Sequence, residues 1–380
     1  MFRKTFMSLL AAMLFVLFAA AWNPVSAIGA VDNTLAEDTD ALIAAYAGQF
    51  EQKTYEDAES GLSITYNLFL PEGYDANGSY PMVVFIGDST CAGNDPTVSL
   101  TQGRGALVWA SAEWQSVYPT IVAVPTYPET ILDDHNGYTT TAYVELTKRF
   151  IDYMSSEYAV DTNRIYGTGQ SMGCMTTLIL AAEYPDLYAG CMFVDGQWDT
   201  AALTGLEDRT FVYFAAEEDL NAWNGAQEVM AMFDADGVSY QHAQWDGTWS
   251  ADELTAAAQQ LFTVNHNRYF ISWAAGTIEP KNGMGGSGGP GGPGGSGGGF
   301  GGPEGGEMPG GMGGEKPEGM PGGMGGERPE GMPDGMGGEK PEGMGGGAPG
   351  GASSVGYHMA SFDYAYNCAA VMEWLFGQSK

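Results

Sequence analysis

Gly169-Gln170-Ser171-Met172-Gly173 sets a serine between two glycines, one two places before it and one two places after. An apolar pair, Ile165 and Tyr166, leads into the pattern, and a helix-compatible run over 175–184 follows at once. A serine that attacks an acyl carbon must project from a sharp strand-to-helix turn. Flanking side chains would collide there with the strand or the helix, and glycines at those two places remove the collision. Ser171 also stands near the start of the following helix, whose amides and dipole favour an anionic intermediate. In a chain with 57 glycines such a short pattern arises by chance, so its weight comes from the strand before it and the helix after it.

A nucleophilic serine needs a histidine to take its proton, and that histidine needs a carboxylate to fix its tautomer. An apolar run over 210–214 opens into Ala215-Ala216-Glu217-Glu218-Asp219, where Asp219 is the candidate acid and Glu217 and Glu218 are its rivals. Of the four histidines, His135 precedes the serine, against the expected order of serine, acid, histidine. His242 falls inside a candidate strand and His266 just before another, where packing or surface roles account for them. His358, just ahead of a terminal helix, completes the order. For the oxyanion, the amide of Met172 is one donor. The other is expected from the small-residue loop Gly87-Asp88-Ser89-Thr90-Cys91-Ala92-Gly93, with Asp88 first and Ser89 second. Cys174 reads as a packing residue, because Ser171 already holds the nucleophile position.

These groups need a rigid frame, and the pattern supplies one. Residues 50–58 and 62–70 read as a leading β-hairpin, with Ile64, Tyr66, Leu68 and Leu70 alternating. Continuous apolar runs over 81–86 and 120–125 read as strands buried on both faces, the second ended by Pro125. Further strands are expected at 164–168, 191–194, 210–214, 240–245 and 269–274. Helices are expected at 41–46, 103–111, 142–158, 175–184, 221–233 and 252–262, with a terminal helix over 362–376. Strands alternating with helices predict a doubly wound, mostly parallel sheet with flanking helices and right-handed crossovers.

Outside this body the composition changes twice. Residues 1–27 have the pattern of a secretory signal peptide: Arg3 and Lys4, an apolar stretch over 6–21, then Val25-Ser26-Ala27 as a small-x-small cleavage site. A leader over 28–49 is expected to be loose in its first part. The body spans 50–280 and closes with 354–380. Between them, 281–353 is a glycine-, methionine- and proline-rich insert, with a twelve-residue repeat placing Glu315, Glu327 and Glu339 in equivalent positions. Having Phe300 as its only aromatic and no branched aliphatics, the insert is expected to be disordered. It reads as an expansion of a surface loop; a tether in contact with extracellular matrix and a methionine-based metal or oxidant sink are the competing readings.

The chain carries 14 basic and 47 acidic residues, a formal net charge of −33, which excludes nucleic acid and anionic membrane as natural partners. Export would place Cys91, Cys174, Cys191 and Cys368 in an oxidising compartment, where four cysteines allow three pairings. Their spacing is unlike a zinc site, and no metal or other cofactor is implied. No second membrane-spanning run follows the signal segment, so a secreted, extracellular protein without stable membrane insertion is expected.

Leu68 to Tyr74, Trp109, Val160 to Gly173 (V-D-T-N-R-I-Y-G-T-G-Q-S-M-G), Glu183 to Leu187 and the closing Trp-Leu-Phe-x-Gln of 374–378 carry a likeness. On these residues the chain resembles secreted α/β-hydrolases of the polyhydroxybutyrate-depolymerase-like and feruloyl-esterase-like group, many of them labelled predicted peptidases. The likeness covers about 50–275 and resumes at Val355. It implies an α/β-hydrolase fold with Ser171, Asp219 and His358 as nucleophile, acid and base, the last on a histidine loop. Two departures stand out: Ile86 replaces a histidine common before the oxyanion glycine, and Cys174 replaces a second glycine after the elbow, altering the pocket or marking a disulfide. The implied activity is ester hydrolysis through an acyl-enzyme. The substrates would be ester-containing small molecules, polyesters or esterified plant polysaccharide. A peptidase with the same triad and a non-catalytic wall- or glycan-binding protein are the alternatives.

Overall fold

Two alternating sets of side chains along each central strand give the chain two apolar surfaces to cover, and helices cover both. The computed structural model describes residues 28–31, 38–135, 137–264, 266–281 and 354–380. The expected signal segment, 1–27, and almost all of the expected insert lie outside the described residues. The strands, in chain order, are β1 Glu51–Glu56, β2 Ser63–Phe69, β3 Tyr80–Ile86, β4 Ile121–Thr126, β5 Leu132–Asp133, β6 Thr139–Thr140, β7 Val160–Gln170, β8 Gly190–Val194, β9 Phe211–Ala216, β10 Gln241–Trp245 and β11 Arg268–Trp273. The helices are α1 Thr39–Tyr46, α2 Val98–Thr101, α3 Ala112–Val117, α4 Ala142–Glu157, α5 Met172–Glu183, α6 Leu220–Asp236, α7 Ala251–Phe262, α8 Ser354–Ala365 and α9 Ala369–Phe376. Nine strands form one sheet in the order β1-β2-β4-β3-β7-β8-β9-β11-β10. Among the described residues of this sheet only the β1–β2 and β2–β4 pairs are antiparallel, and β5 and β6 form a separate antiparallel pair. This is a mixed, mostly parallel sheet flanked by helices, the α/β-hydrolase arrangement.

Met82, Val84 and Ile86 of β3 point to one face with Phe193, Phe211 and Tyr213, under α4, α5 and α6. Val83, Phe85, Tyr166, Met192 and Phe214 point to the other, under α7, α8 and α9. The closing segment is part of this second layer. The ring of Phe376 stacks on Tyr166 at 4.4 Å and on Trp109 at 5.7 Å, and meets Trp114 edge-on at 4.7 Å. Every residue of α9 is buried, including Glu373, which is why the helix shows no polar stripe. On either side of residues 282–353, the Lys281 amide donates to Gly356 O at 3.0 Å and Lys281 Nζ meets Asp363 at 2.7 Å, so the two described segments meet side by side.

Several expectations need correction. The helix expected over 103–111 is a buried run of turns with one short 3-10 helix at Val108–Ala110. A β-carbon at Gly105 would come within 2.4 Å of the Phe85 ring, and Ser111 caps α3 by accepting from the Trp114 amide at 3.2 Å. Pro125 does not end its strand. Pairing of β4 with β3 stops at Ala123, so Pro125 sits where β4 has a partner on one side only, opposite Tyr66. The terminal helix is two helices, broken at Tyr366 to Cys368, and His358 lies inside α8 rather than in a loop before it. The start of the leader is docked, not loose: Ile28 and Val31 are buried, and the amides of Gly29, Ala30 and Val31 donate to the Glu373 carboxylate at 2.5, 2.8 and 2.8 Å. All four cysteines are free and buried. Cys174 and Cys191 pack on one face of the sheet and Cys368 on the other, so the sheet separates Cys368 from both.

Candidate active site

β7 delivers the backbone to Ser171 at φ 51° and ψ −116°, a left-handed conformation that a non-glycine residue adopts only under constraint. The constraint is visible on both sides. The Ser171 amide donates to Val194 O at 3.1 Å, and Ser171 O accepts from the Met175 amide at 2.9 Å in the first turn of α5. A β-carbon on Gly169 would come within 2.5 Å of the Gly173 carbonyl, and one on Gly173 within 1.9 Å of Ile86 O. The two glycines therefore let strand, turn and helix touch backbone to backbone, beside the end of β3.

β9 ends two residues past the expected boundary, at Ala216, and of the three acids in the following turn Glu217 and Asp219 take different partners. Glu217 is spent on Gln244, on Ser272 Oγ at 3.0 Å and on the Ala275 amide at 3.2 Å. Asp219, buried at the start of α6, has Oδ2 2.5 Å from His358 Nδ1. Burial opposes a charge on the His358 ring, but the hydrogen bond and charge of Asp219, with Asp195 and Asp88 beyond, hold its pKa above the ordinary imidazole value. Two of the other histidines, His242 and His266, are engaged elsewhere. His242 Nε2 lies 3.1 Å from Ser272 Oγ, and burial lowers its pKa against the pull of Glu217. His266 donates its amide to Tyr269 OH at 2.9 Å.

Ser171, Met172, Asp219, His358 and Ser89 line one cavity of about 630 Å³. Asp88 stands behind this wall with its carboxylate buried. It accepts from the Thr90 amide and hydroxyl at 2.7 Å, from Gln102, and from Gln170 Nε2 at 3.2 Å. Gln170 immediately precedes the serine and also donates to Gln102 Oε1 at 3.0 Å, so the loop after β3 and the elbow are braced to each other. Neither glutamine was identifiable from the sequence, since only the fold brings them together.

The far wall was also missed. It comes from the β5–β6 hairpin, with Asp133, Asp134 and His135, and from Gln197. His135, set aside on chain order, therefore reaches the same cavity. Its Nδ1 lies 2.7 Å from Asp134 Oδ1, and Gln197 Nε2 donates to the other oxygen of Asp134. Among the described residues these three consecutive side chains are the one group whose donor atoms converge, within 4.8 Å, as a cation would require. The ring of His135 is exposed and the carboxylate of Asp134 is already bonded twice.

The model of the Putative esterase family matches residues 58–266, more than half of the 380-residue chain. The chain belongs to this esterase family. The chain is also similar to acetylxylan esterase A of Emericella nidulans, 28% identical over 123 residues that cover 26% of this chain and 40% of the relative. It is similar to a poly(3-hydroxybutyrate) depolymerase of Ralstonia pickettii, 23% identical over 226 residues, covering 56% and 45% of the two chains. It thus spans less than half the length of these curated relatives. Among solved structures it is similar to a thermostable esterase, with 24% identity, a TM-score of 0.48, and 61% and 56% of the two chains covered.

Proposed function

We propose that this esterase is an exported serine carboxylesterase that works through an acyl-enzyme. Ser171 Oγ attacks the ester carbonyl carbon as His358 Nε2 takes its proton, and the imidazolium is held by Asp219 through Nδ1. The amide of Met172 and that of Asp88, or of its neighbour Ser89 on the cavity wall, hold the oxyanion. His358 then protonates the departing alcohol, and water repeats the sequence to free the acid. The observation that carries this reading is the strained Ser171 backbone opening onto the same cavity as a histidine bonded to a buried acid. Export rests on the signal-like pattern of 1–27.

The cavity has the volume of a small-molecule site, and its Asp133 and Asp134 wall favours neutral esters over anionic ones. Acylated polysaccharide and polyester fragments are the substrates proposed, in keeping with the names of the relatives. The test is intact-mass analysis after exposure to a fluorophosphonate. One adduct on the wild type and none on Ser171→Ala is expected, together with turnover of 4-nitrophenyl acetate by the wild type alone. A folded wild type that takes up no reagent would end the proposal, and turnover of amides without esters would make the enzyme a peptidase.

A further inference from the structure

Behind the His358–Asp219 pair lies a carboxylate for which the serine mechanism has no use. Asp195 follows β8 as Asp219 follows the neighbouring β9, and it is wholly buried. Its backbone is held at φ 43°, in the left-handed region. Its neighbours on both sides touch the nucleophile. Val194 O accepts from the Ser171 amide at 3.1 Å, and a β-carbon on Gly196 would approach Ser171 O to 2.8 Å. On the other side, Asp195 Oδ1 accepts from the Ala216 amide at 2.8 Å, and Ala216 O accepts from the Asp219 amide at 3.0 Å. One residue therefore links the elbow to the turn that carries the acid. Its second oxygen, Oδ2, is buried and lacks a well-formed hydrogen bond, the Ser361 hydroxyl being the side-chain donor that acts on this carboxylate.

A buried carboxylate so sparsely bonded is costly unless a charge compensates it or a proton neutralises it. The groups acting on Asp195 come from four elements. Asp219 lies beyond β9, His358 and the Ser361 hydroxyl on α8, the Cys174 thiol on α5, and the Tyr213 phenol on β9. Ser361 Oγ donates to His358 O, and Tyr213 OH donates to Gly196 O. His358 is the member of this set that can carry positive charge. Burial first, then the charge of Asp219, push the carboxyl of Asp195 up to about 7, against the pull of His358.

We propose that Asp195 is a positioning residue for the catalytic pair. It holds the Asp219 turn through Ala216, and as a second buried carboxylate it sets how readily His358 takes up a proton. This rests on Ser171, Asp219 and His358 acting as the triad. When the Ser171 proton moves to His358, the new positive charge faces two carboxyl groups rather than one. Asp195 touches no substrate in this scheme and loses or gains nothing but its own proton.

The test is Asp195→Asn beside Asp195→Ala, each assayed with 4-nitrophenyl acetate across pH 5 to 9. Asparagine keeps an oxygen for the Ala216 amide but not the charge. His358 must be neutral to act, and losing the negative charge that Asp195 carries from about pH 7 upward lowers the pKa of His358. The acid limb of kcat/KM should therefore move to lower pH by about half a unit to one unit, with KM within about twofold. Alanine removes both functions and should also lower kcat about tenfold or more through the loosened turn. An unchanged midpoint in Asp195→Asn, with wild-type fluorophosphonate labelling intact, would overturn the role of Asp195 and leave the triad standing. Absence of labelling on the wild type would instead remove the triad. If Asp195→Asn does not fold, the His358 ring can be followed by NMR in the wild type. Two coupled steps are expected, and a single-step titration would refute the coupling.

Discussion

Gly173→Ala places a methyl carbon 1.9 Å from Ile86 O, 2.5 Å from Ile86 C and 2.8 Å from Gly87 O. Real β-carbons do not approach other heavy atoms closer than 3.0 Å, so helix α5 and the end of β3 must separate by about 1 Å. All three contacts are backbone atoms, and no rotamer change relieves them. Forcing the pair apart should cost about 1–3 kcal/mol of stability, read as a lower urea midpoint. The same movement carries the loop at Asp88 and Ser89 away from the Met172 amide. A misplacement of about 1 Å lowers turnover about 100-fold, and full loss of one oxyanion donor about 100- to 1000-fold. The loss should fall on kcat, because the oxyanion exists only after attack. Initial rates on 4-nitrophenyl acetate would be compared with Gly48→Ala, whose new carbon has nothing within 4 Å and should be neutral. A Gly173→Ala enzyme with kcat within threefold of wild type and an unchanged melt would refute the steric account of the elbow.

Other outcomes follow from named contacts. His358→Ala should lose about 1000-fold or more in kcat/KM, while His242→Ala and His266→Ala stay near wild type; a large loss in either of the latter would move the base assignment. Because His358 must be neutral to act and its pKa is raised, kcat/KM should rise with pH through a midpoint above about 6.5, and a midpoint below that value would contradict the Asp219 contact. The same shift makes stability from this pair full below about pH 6.5 and lost as pH rises through the raised value, which urea melts across that window would record. Glu373→Ala strips the acceptor from three leader amides and should cost roughly 2–4 kcal/mol and expose 28–31 to proteolysis; an unchanged melt would mean the leader contributes nothing. Replacing 282–351 by a short Gly/Ser linker should leave the cooperative melt of the body intact, since Lys281 already meets Gly356 and Asp363; a variant that fails to fold would make that stretch structural.

What could be read from the chain was whatever local physics decides. Strands such as Tyr80–Ile86 and Ile121–Thr126 are continuous apolar runs because both faces are covered, and they stand out in sequence for that reason. The 103–111 stretch has helix-compatible residues, but Gly105 must pass against the rings of Phe85 and Tyr366, and that packing overrides propensity. The break between α8 and α9 was equally hidden. It coincides with Asn367, whose side chain accepts from Arg104 Nη1 at 2.9 Å, a residue 263 positions away. The docked leader depends on a glutamate near the other end of the chain, and no window of sequence contains both.

The site divides along the same line. The two elbow glycines are required by atoms within a few residues of Ser171, together with one strand carbonyl, so their spacing is a signature. The acid could be narrowed only to Glu217, Glu218 or Asp219, because the choice depends on which side chain meets α8. Glu217 turns to β10 and β11, and Asp219 turns to His358. Asp195 has no signature at all. It is an aspartate after a strand, and its burial comes from α5, α8 and β9, which meet there only in the finished fold. Its position nonetheless follows a rule that the sheet imposes. Adjacent parallel strands end side by side, so the residues just past β7, β8 and β9 must be neighbours. Ser171 and Asp195 follow β7 and β8 at once, and Asp219 comes three residues after β9, in the turn its amide closes on Ala216 O. A sheet that brings the proposed nucleophile and the proposed acid to one edge brings whatever follows the strand between them as well, and here that residue is a carboxylate.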